Sequence, residues 1–272
     1  MIIGVDIGGT KTLVGLFDDS GKLADEARFP TAQDQAVFAT DLEKTLEQLT
    51  HGTTVEAIGI ASPGTIQNGS IVWAGGNLGW ENFSIAKLVQ KWTEGPICHE
   101  NDANLAALAE ARAVAPEGGL VLYITLSTGI GSGIIVDGKL LPALAGSEAG
   151  QMKLFDEQGT LRRWEDIASG KSLVQKVGQR AEAIEDEAVW KQYARDICLG
   201  LQPTINVLRP HKVVLGGGVG MYADKYRMYV AEMLDEIIAS RSYSTPEILA
   251  AHYGEKSVIY GCYEHARDHL SD

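Results

Sequence analysis

The 272-residue sequence is poor in cysteine and lacks long apolar runs. Its three cysteines, Cys98, Cys198 and Cys262, are far apart and form no CxxC pair, so we expect buried, unreactive thiols rather than disulfides or a thiolate metal site. No stretch approaches the roughly 18 consecutive apolar residues of a membrane-spanning helix. Met1 leads directly into IIGVDIGG, without the basic and apolar regions of a signal peptide, so we expect a cytoplasmic protein that contacts no membrane.

Basic residues are also scarce, and acidic residues outnumber them. The chain has 36 Asp and Glu against 23 Lys and Arg, which gives a formal net charge of -13. A phosphate backbone would repel such a chain, because nucleic-acid binding needs clustered Lys and Arg to displace counterions. Nucleic acid is therefore not expected as a partner. The length favours two domains or one large α/β unit, and either can enclose a ligand site.

Two common nucleotide-binding motifs are absent, the Walker GxxxxGK(S/T) sequence and a GxGxxG sequence that opens a helix. Instead, two turns rich in Gly and Thr lie between strand-like runs, DIGGTKT at residues 6–12 and LSTGIGSG at residues 126–133. Glycine-rich turns expose backbone N–H groups and let the main chain approach a phosphate closely. Asp6 and Lys11 in the first turn fit a phosphate tail with Mg²⁺, although a plain hairpin with a capping Asp is the alternative.

Hydrophobic periodicity predicts a mixed α/β chain. Strands are predicted at residues 2–6, 12–17, 22–29, 55–61, 97–100 and 212–215, a second hairpin at 120–136, a tight loop at 216–218, and helices at 35–49, 84–92, 102–112, 185–208, 222–239 and 255–269. The strand–turn–strand opening of the chain recurs in the second hairpin. A Pro- and Gly-rich break before that hairpin places a domain boundary between residues 115 and 116, so we predict domains at 1–115 and 116–255.

Asn101 and Asp102 lie where a predicted strand meets a predicted helix, in HENDANLAALAEA. An Asp at this position is a common helix N-cap. It could equally act as a general base, because phosphoryl transfer to an alcohol needs a carboxylate within hydrogen-bond reach of the attacking hydroxyl. Residue type and position alone leave both interpretations of Asp102 open.

Six motifs together resemble the ROK family, which comprises bacterial sugar kinases and related repressors. They are DIGGTKT at 6–12, ASPG at 61–64, GGNLGW at 75–80, ENDAN at 100–104, LSTGIGSG at 126–133 and LGGGV at 215–219. The resemblance runs nearly end to end. It implies an α/β fold of two actin-like (ribonuclease H-like) lobes, with mixed sheets flanked by helices and a cleft between them. It also implies that a C-terminal helix, residues 256–272, packs back on the first lobe.

The same resemblance implies a role for each matching residue. Asp102 is the expected catalytic base, and Asp6 is expected to hold Mg²⁺, directly or through water. The residues expected to bind ATP are Asp6, Gly8, Gly9, Thr10, Lys11, Thr12, Ser127, Thr128, Gly129, Gly131, Gly216, Gly217 and Gly218. The residues expected to bind the sugar are Gly64, Asn77, Asn101, Asp102, Glu148, Gln151 and Glu165.

One departure from the family pattern concerns zinc. Many members have a His where this chain has Gln151, followed by a cysteine cluster that holds a structural zinc ion. Residues 152–164 contain no cysteine, so we expect no zinc site. A Gln amide can still offer donors and an acceptor to a sugar. The six histidines show no ligand spacing, so none is assigned to a metal or to catalysis.

The implied activity is the ATP-dependent phosphorylation of a hexose at its 6-hydroxyl, with glucose first and mannose, fructose or N-acetylmannosamine as alternatives. A sugar-sensing regulator without catalysis is the other possibility. Such regulators carry a DNA-binding module ahead of the first Gly turn, whereas Asp6 here stands almost at the start, so a kinase is preferred. We also expect a homodimer, as is common in the family. Trp73, Trp80 and Trp164 could stack on the sugar, although core packing is more usual.

Overall fold

The computed structural model describes residues 1–67, 69–74, 78–238 and 244–271, so Asn77 and Ala239 lie outside the described residues. The chain divides into two compact units. Unit 1 comprises Met1–Ala109 and Lys256–Asp272, and unit 2 comprises Glu110–Glu255. No helix within the described ranges is long and apolar enough to cross a membrane.

Strands and helices alternate along much of the chain. The strands are β1 Ile2–Ile7, β2 Lys11–Phe17, β3 Leu23–Pro30, β4 Ala57–Ser62, β5 Thr65–Gln67, β6 Ser70–Ala74, β7 Trp80–Phe83, β8 Ile97–Asn101, β9 Leu120–Leu126, β10 Ile130–Val136, β11 Lys139–Leu140, β12 Lys153–Phe155, β13 Leu161–Arg163, β14 Lys212–Gly216 and β15 Glu247–Ala250. The helices are α1 Gln35–Leu49, α2 Ile85–Val89, α3 Asp102–Val114, α4 Trp164–Ala168, α5 Gly170–Val177, α6 Glu187–Leu208, α7 Gly217–Gly220, α8 Arg227–Ile238 and α9 Ser257–Ser271. The mixed α/β class predicted from the sequence is confirmed.

The main sheet of unit 1 has the order β3-β2-β1-β4-β8. The first three strands form an antiparallel meander, while β1, β4 and β8 are parallel. Parallel strands end at the same edge of a sheet, and the register places Asp6 opposite Ala61 and Ser62 opposite Asn101. Ligands of open α/β sheets commonly bind outside this carboxyl edge. The predicted site residues of unit 1 therefore meet at one edge.

Helices cover both faces of this sheet. Ile3, Val5 and Ile7 alternate with the residues between them and pack with Phe38 of α1 in one hydrophobic cluster. The other face packs against α9, where glycines allow a close approach. A Cβ at Gly59 would lie 2.0 Å from the carbonyl oxygen of Cys262. A sheet covered on both faces explains why β1 and β4 read as continuous apolar runs.

Unit 2 repeats the strand arrangement of unit 1. Its main sheet has the order β11-β10-β9-β14-β15, with an antiparallel meander followed by parallel β9, β14 and β15. The predicted recurrence of the opening architecture is therefore confirmed. Long helix α6 covers part of the core, begins after the N-cap Asp186 and ends at Arg209, which has φ 53°.

Two local predictions in unit 2 are corrected by the structure. The helix predicted over residues 222–239 begins only at Arg227, because Tyr226 has φ -139° and interrupts the helix after a single 3₁₀ turn. The Tyr226 ring is buried and stacks on Trp190 with ring centroids 5.5 Å apart. The loop predicted at residues 216–218 is instead a direct transition from β14 to α7.

Candidate active site

The first Gly-rich turn joins β1 to β2, between two strands as predicted. The Gly8 N–H donates to the Lys11 carbonyl at 3.0 Å, and a Cβ on Gly8 would lie 2.9 Å from that oxygen. Gly9, Thr10 and Lys11 are exposed, so their backbone can approach a ligand. Thr12 differs, because it is buried and its hydroxyl is hydrogen-bonded to the Thr31 hydroxyl at 2.8 Å. The turn therefore suits an anion, while the Thr12 hydroxyl is occupied within the fold.

Asp6 lies at the end of β1, next to this turn. Burial and, to a lesser extent, the nearby Asp102 carboxylate raise the pKa of its carboxyl to about 7, while Lys11 and Arg28 act in the opposite direction. Two carboxylates that repel each other in a partly buried site favour a cation between or beside them. Carboxylate oxygen is the donor type that Mg²⁺ prefers, so the residues fit that ion.

The hydrogen bonds at the start of α3 distinguish between the two roles, helix N-cap and general base, that the sequence left open for Asp102. The Asn101 side-chain oxygen accepts hydrogen bonds from the backbone N–H groups of Ala103 at 2.9 Å and Asn104 at 3.4 Å, which makes Asn101 the main cap. Asp102 accepts through Oδ1 from Ala103 at 2.8 Å. Its Oδ2 accepts no hydrogen bond from the described part of the chain. Burial raises the pKa of Asp102, while the Ala103 N–H opposes the shift.

The loop after β4 is tied to Asn101. Gly64 has φ 95°, and a Cβ there would lie 2.3 Å from the Trp73 carbonyl oxygen. The Gly64 carbonyl accepts a hydrogen bond from the Asn101 side-chain nitrogen at 3.4 Å. This backbone conformation favours glycine, and the close approach also excludes a side chain. The structure therefore brings the predicted sugar residues Gly64 and Asn101 together.

His99 supports the same loop, a role that sequence reasoning missed. Its Nδ1 donates to the Gly69 carbonyl at 3.4 Å, so Nε2 accepts from the Ser62 hydroxyl at 2.8 Å. Burial lowers the pKa of His99 to about 4, which keeps the imidazole neutral. The sequence offered one signal of this role, the position of His99 two residues before Asn101. The contact with Ser62 could not be predicted, because Ser62 lies on a different strand.

The second Gly-rich turn and the later glycine run come together in unit 2. The Ser127 N–H donates to the Gly129 carbonyl at 3.0 Å, and the Ser127 hydroxyl accepts from the Gly218 N–H at 3.2 Å. Gly217 has φ 80°, and a Cβ there would lie 2.5 Å from the Ser127 hydroxyl. Gly216 is the last residue of β14, Thr128 is exposed, and Gly131 lies within β10.

A polar cluster forms beside this turn. Glu165, near the start of α4, is so close to Gly129 that a Cβ there would lie 2.6 Å from its Oε2. The Gln151 side chain donates to Glu165 at 3.0 Å. Arg163 contacts Glu165 at 2.7 Å and Gln151 at 3.4 Å, and its Nε and Nη2 bind Asp166 at 2.9 and 2.8 Å. Arg163, which was not predicted, therefore fixes the predicted pair Gln151 and Glu165.

Glu148 is exposed and precedes the 3₁₀ turn that ends at Gln151. It also lines a cavity of about 320 Å³ whose other walls are mainly apolar, including Leu122, Ile134 and Met152. A sugar needs polar partners for its hydroxyls. This mainly apolar cavity therefore offers few partners for the hydroxyls of a sugar.

Other predictions about side chains have clear outcomes. All three cysteines are buried and free, as expected. Trp80 and Trp164 are core residues whose indole N–H groups donate to the carbonyls of Gln33 at 2.7 Å and Asp196 at 3.2 Å, so neither can stack on a ligand. Trp73 is 56% exposed.

Two of the histidines, which the sequence analysis assigned to no metal, lie together with a cysteine. His265 and His269 are one turn apart on α9, and their ring nitrogens lie within 4.8 Å of the Cys98 thiol and of each other. This cluster is difficult to predict from the sequence, because Cys98 is on β8, far from the two histidines along the chain.

A meander followed by parallel strands in each unit, with Gly-rich turns after β1 and β9, defines the actin-like ATPase fold. A sequence profile of the ROK family matches residues 2–269. The chain therefore belongs to the ROK family.

Individual relatives place it among sugar kinases. N-acetylmannosamine kinase of Citrobacter koseri is 30% identical over an alignment of 285 positions. The alignment covers 95% of this chain and 96% of that protein. The ROK glucokinase of Streptomyces griseus, solved with glucose and AMPPNP, has a TM-score of 0.80 at 26% identity, covering 98% of this chain and 99% of that one. The ROK hexokinase of Thermus thermophilus has a TM-score of 0.81 at 29% identity, and the match covers 100% of this chain and 99% of that one. These relatives differ in their named sugars, so they support a sugar kinase without defining its substrate.

Proposed function

We propose that this protein transfers the γ-phosphoryl group of ATP to the 6-hydroxyl of a hexose, with glucose as the first candidate. The observation that carries the proposal is the first turn of α3. Asn101 provides the main cap, so one oxygen of the neighbouring Asp102 carboxylate remains available to accept a proton. The ATP analogue and glucose bound by the Streptomyces griseus enzyme support the two substrates.

In the proposed reaction, the sugar hydroxyl oxygen forms a bond to the γ-phosphorus while its proton passes to Asp102. The bond between that phosphorus and the oxygen bridging to the β-phosphate breaks, and ADP leaves. Burial raises the pKa of Asp102, which makes the carboxylate a stronger base than an exposed one. Geometry and charge stabilisation supply most of the catalysis in such transfers.

The phosphate groups are assigned to the two Gly-rich turns. The backbone of residues 8–10 and of residues 127–129 presents amide groups, and Gly217 and Gly218 lie against the second turn. Asp6 would hold Mg²⁺, directly or through water, and the bound ion would neutralise phosphate charge. Among the residues assigned to ATP, Thr12 has the least support, because its hydroxyl is already hydrogen-bonded to the Thr31 hydroxyl.

The residues expected to bind the sugar include the following described ones. Gly64 and Asn101 belong to unit 1, and Glu148, Gln151 and Glu165 belong to unit 2. The resemblance to the family adds Asn77. We also propose a homodimer on the same resemblance, which sedimentation of the purified chain would test.

A panel of sugars tests the proposal directly. ADP release would be followed with glucose, mannose, fructose and N-acetylmannosamine, each with and without Mg²⁺. We expect one sugar to be phosphorylated much faster than the others, and only when Mg²⁺ is present. Binding of a sugar by calorimetry without any ADP release would instead favour a sugar-sensing regulator.

A further inference from the structure

Three side chains of metal-binding type meet in unit 1, and none of them is assigned to phosphoryl transfer. Cys98 is the second residue of β8, an edge strand of the sheet, and α9 packs against that strand. His265 and His269 project from successive turns of α9. One donor atom from each of the three residues lies within 4.8 Å of the others.

The hydrogen bonding of His269 suits a metal ligand. Its Nδ1 donates to the His265 carbonyl at 2.9 Å, because a carbonyl oxygen can only accept. The neutral ring therefore carries its lone pair on Nε2. Metal-binding histidines usually donate their other ring N–H to a carbonyl or carboxylate in this way, which fixes both the tautomer and the ring orientation.

The local charge also favours a cation. The carboxylates of Asp268 and Glu100 act electrostatically on the Cys98 sulfur. The same two carboxylates would attract a positive ion to the sulfur. His269 is exposed and His265 is partly buried, so an ion can enter from the solvent side.

We infer that Cys98, His265 and His269 form a binding site for a thiophilic divalent ion of the zinc type. Sulfur and imidazole donors select Zn²⁺ or Co²⁺ over Mg²⁺, which prefers oxygen. Water or Asp268 would complete a tetrahedral shell. Bonds of about 2.0 to 2.3 Å place tetrahedral donors about 3.5 Å apart, so the three side chains would draw in by roughly 1 Å.

Binding involves no redox change. The ion forms a bond to sulfur, the S–H bond breaks, and the proton passes to solvent. The weak contact in which the Cys98 thiol donates to the Ile58 carbonyl at 3.7 Å is lost. The ion would fasten α9 to β8, the strand that ends at Asn101. This site is separate from residues 152–164 of unit 2, where the sequence predicted that the zinc of other family members is missing.

Cobalt titration of the full chain tests the site without any assay of activity. The purified protein is stripped with a chelator, titrated with Co²⁺ and then with Zn²⁺. We expect one equivalent of Co²⁺ to produce a thiolate-to-cobalt charge-transfer band and the visible bands of a tetrahedral ion. Zn²⁺ should abolish both signals and raise the thermal midpoint of unfolding.

Variants show whether the named residues bind the ion. Cys98→Ser should abolish the charge-transfer band, and His269→Gln, an exposed change, should weaken binding at least about tenfold. The matched controls are Cys198→Ser, in unit 2, and His51→Gln, at an exposed position; both should bind like the wild type. The inference is overturned if the wild type gives no thiolate band, if the band survives in Cys98→Ser, or if His269→Gln binds as tightly as the wild type.

Discussion

At the first turn of α3, two adjacent polar side chains have different hydrogen-bond partners. The Asn101 oxygen accepts from two backbone N–H groups, at 2.9 and 3.4 Å, and its nitrogen reaches the Gly64 carbonyl. The Asp102 carboxylate accepts from one backbone N–H group, that of Ala103, at 2.8 Å. The sequence could predict that a cap and a candidate base stand here. It could not assign the cap, because the assignment depends on which side-chain oxygen turns toward the helix.

A second residue, His99, gives a prediction about acid stability. Its pKa is about 4 in the fold, below the usual 6.5, because burial disfavours the charged ring. The unfolded chain therefore takes up the proton first as the pH falls. The contribution of neutral His99 to the free energy of unfolding is therefore complete above about pH 6.5. It falls by on the order of 3 kcal/mol as the pH falls toward 4.

Urea unfolding at pH 7 and pH 4.5 measures this effect. Wild type should lose more free energy of unfolding between the two pH values than His99→Gln, which has no ring to protonate. The comparison cancels the opposite contribution of Asp6, whose raised pKa is common to both proteins. His51→Gln, an exposed change, should behave like the wild type. Equal losses in wild type and His99→Gln would show that His99 is not the group responsible.

At the scale of elements, the β12–β13 hairpin supplies the residue that organises the polar cluster around Gln151 and Glu165. Arg163, the last residue of β13, bridges Gln151, Glu165 and Asp166. Arginine suits this position because its planar fork can bind several oxygens at once. The guanidinium group therefore links these three side chains.

Replacing Arg163 tests that role. Arg163→Met should raise the KM for the sugar by roughly 3- to 10-fold and leave kcat close to wild type, because the change loosens two binding groups and spares Asp102. The effect is modest because the Arg163 side chain is 46% exposed and solvent screens its charge. Arg195→Met, at an exposed position on α6, is the control and should change neither constant. An unchanged KM in Arg163→Met would contradict the assignment.

The same elements indicate how far sequence reasoning reaches. Strongly apolar β1 and amphipathic α1 were predicted closely, because burial on one or both faces leaves a clear periodicity. The hairpin β12–β13 was missed, since its residues are mostly exposed and carry no alternating pattern. The interruption at Tyr226 was also missed, because a buried ring stacked on Trp190 is a tertiary effect.

For the whole molecule, the two main sheets share one strand order, and corresponding connections carry the candidate phosphate residues. The corresponding connections are the β1–β2 turn of unit 1 and the β9–β10 turn of unit 2. The recurrence could be predicted from the two Gly-rich turns. Contacts between distant segments could not, and these include His99 with Ser62 and Cys98 with α9. Such pairs leave no periodic signal in the sequence.

The central claim is that Asp102 accepts the proton of the sugar hydroxyl, and turnover by Asp102→Asn tests it most directly. The amide can still accept from the Ala103 N–H but cannot take up a proton, so kcat should fall at least about 100-fold while sugar binding by calorimetry stays near wild type. The matched control is Asp34→Asn, the same change at the N-cap of α1, which should keep full turnover. Near-normal ADP release by Asp102→Asn, with the sugar identified by the panel, would contradict the account.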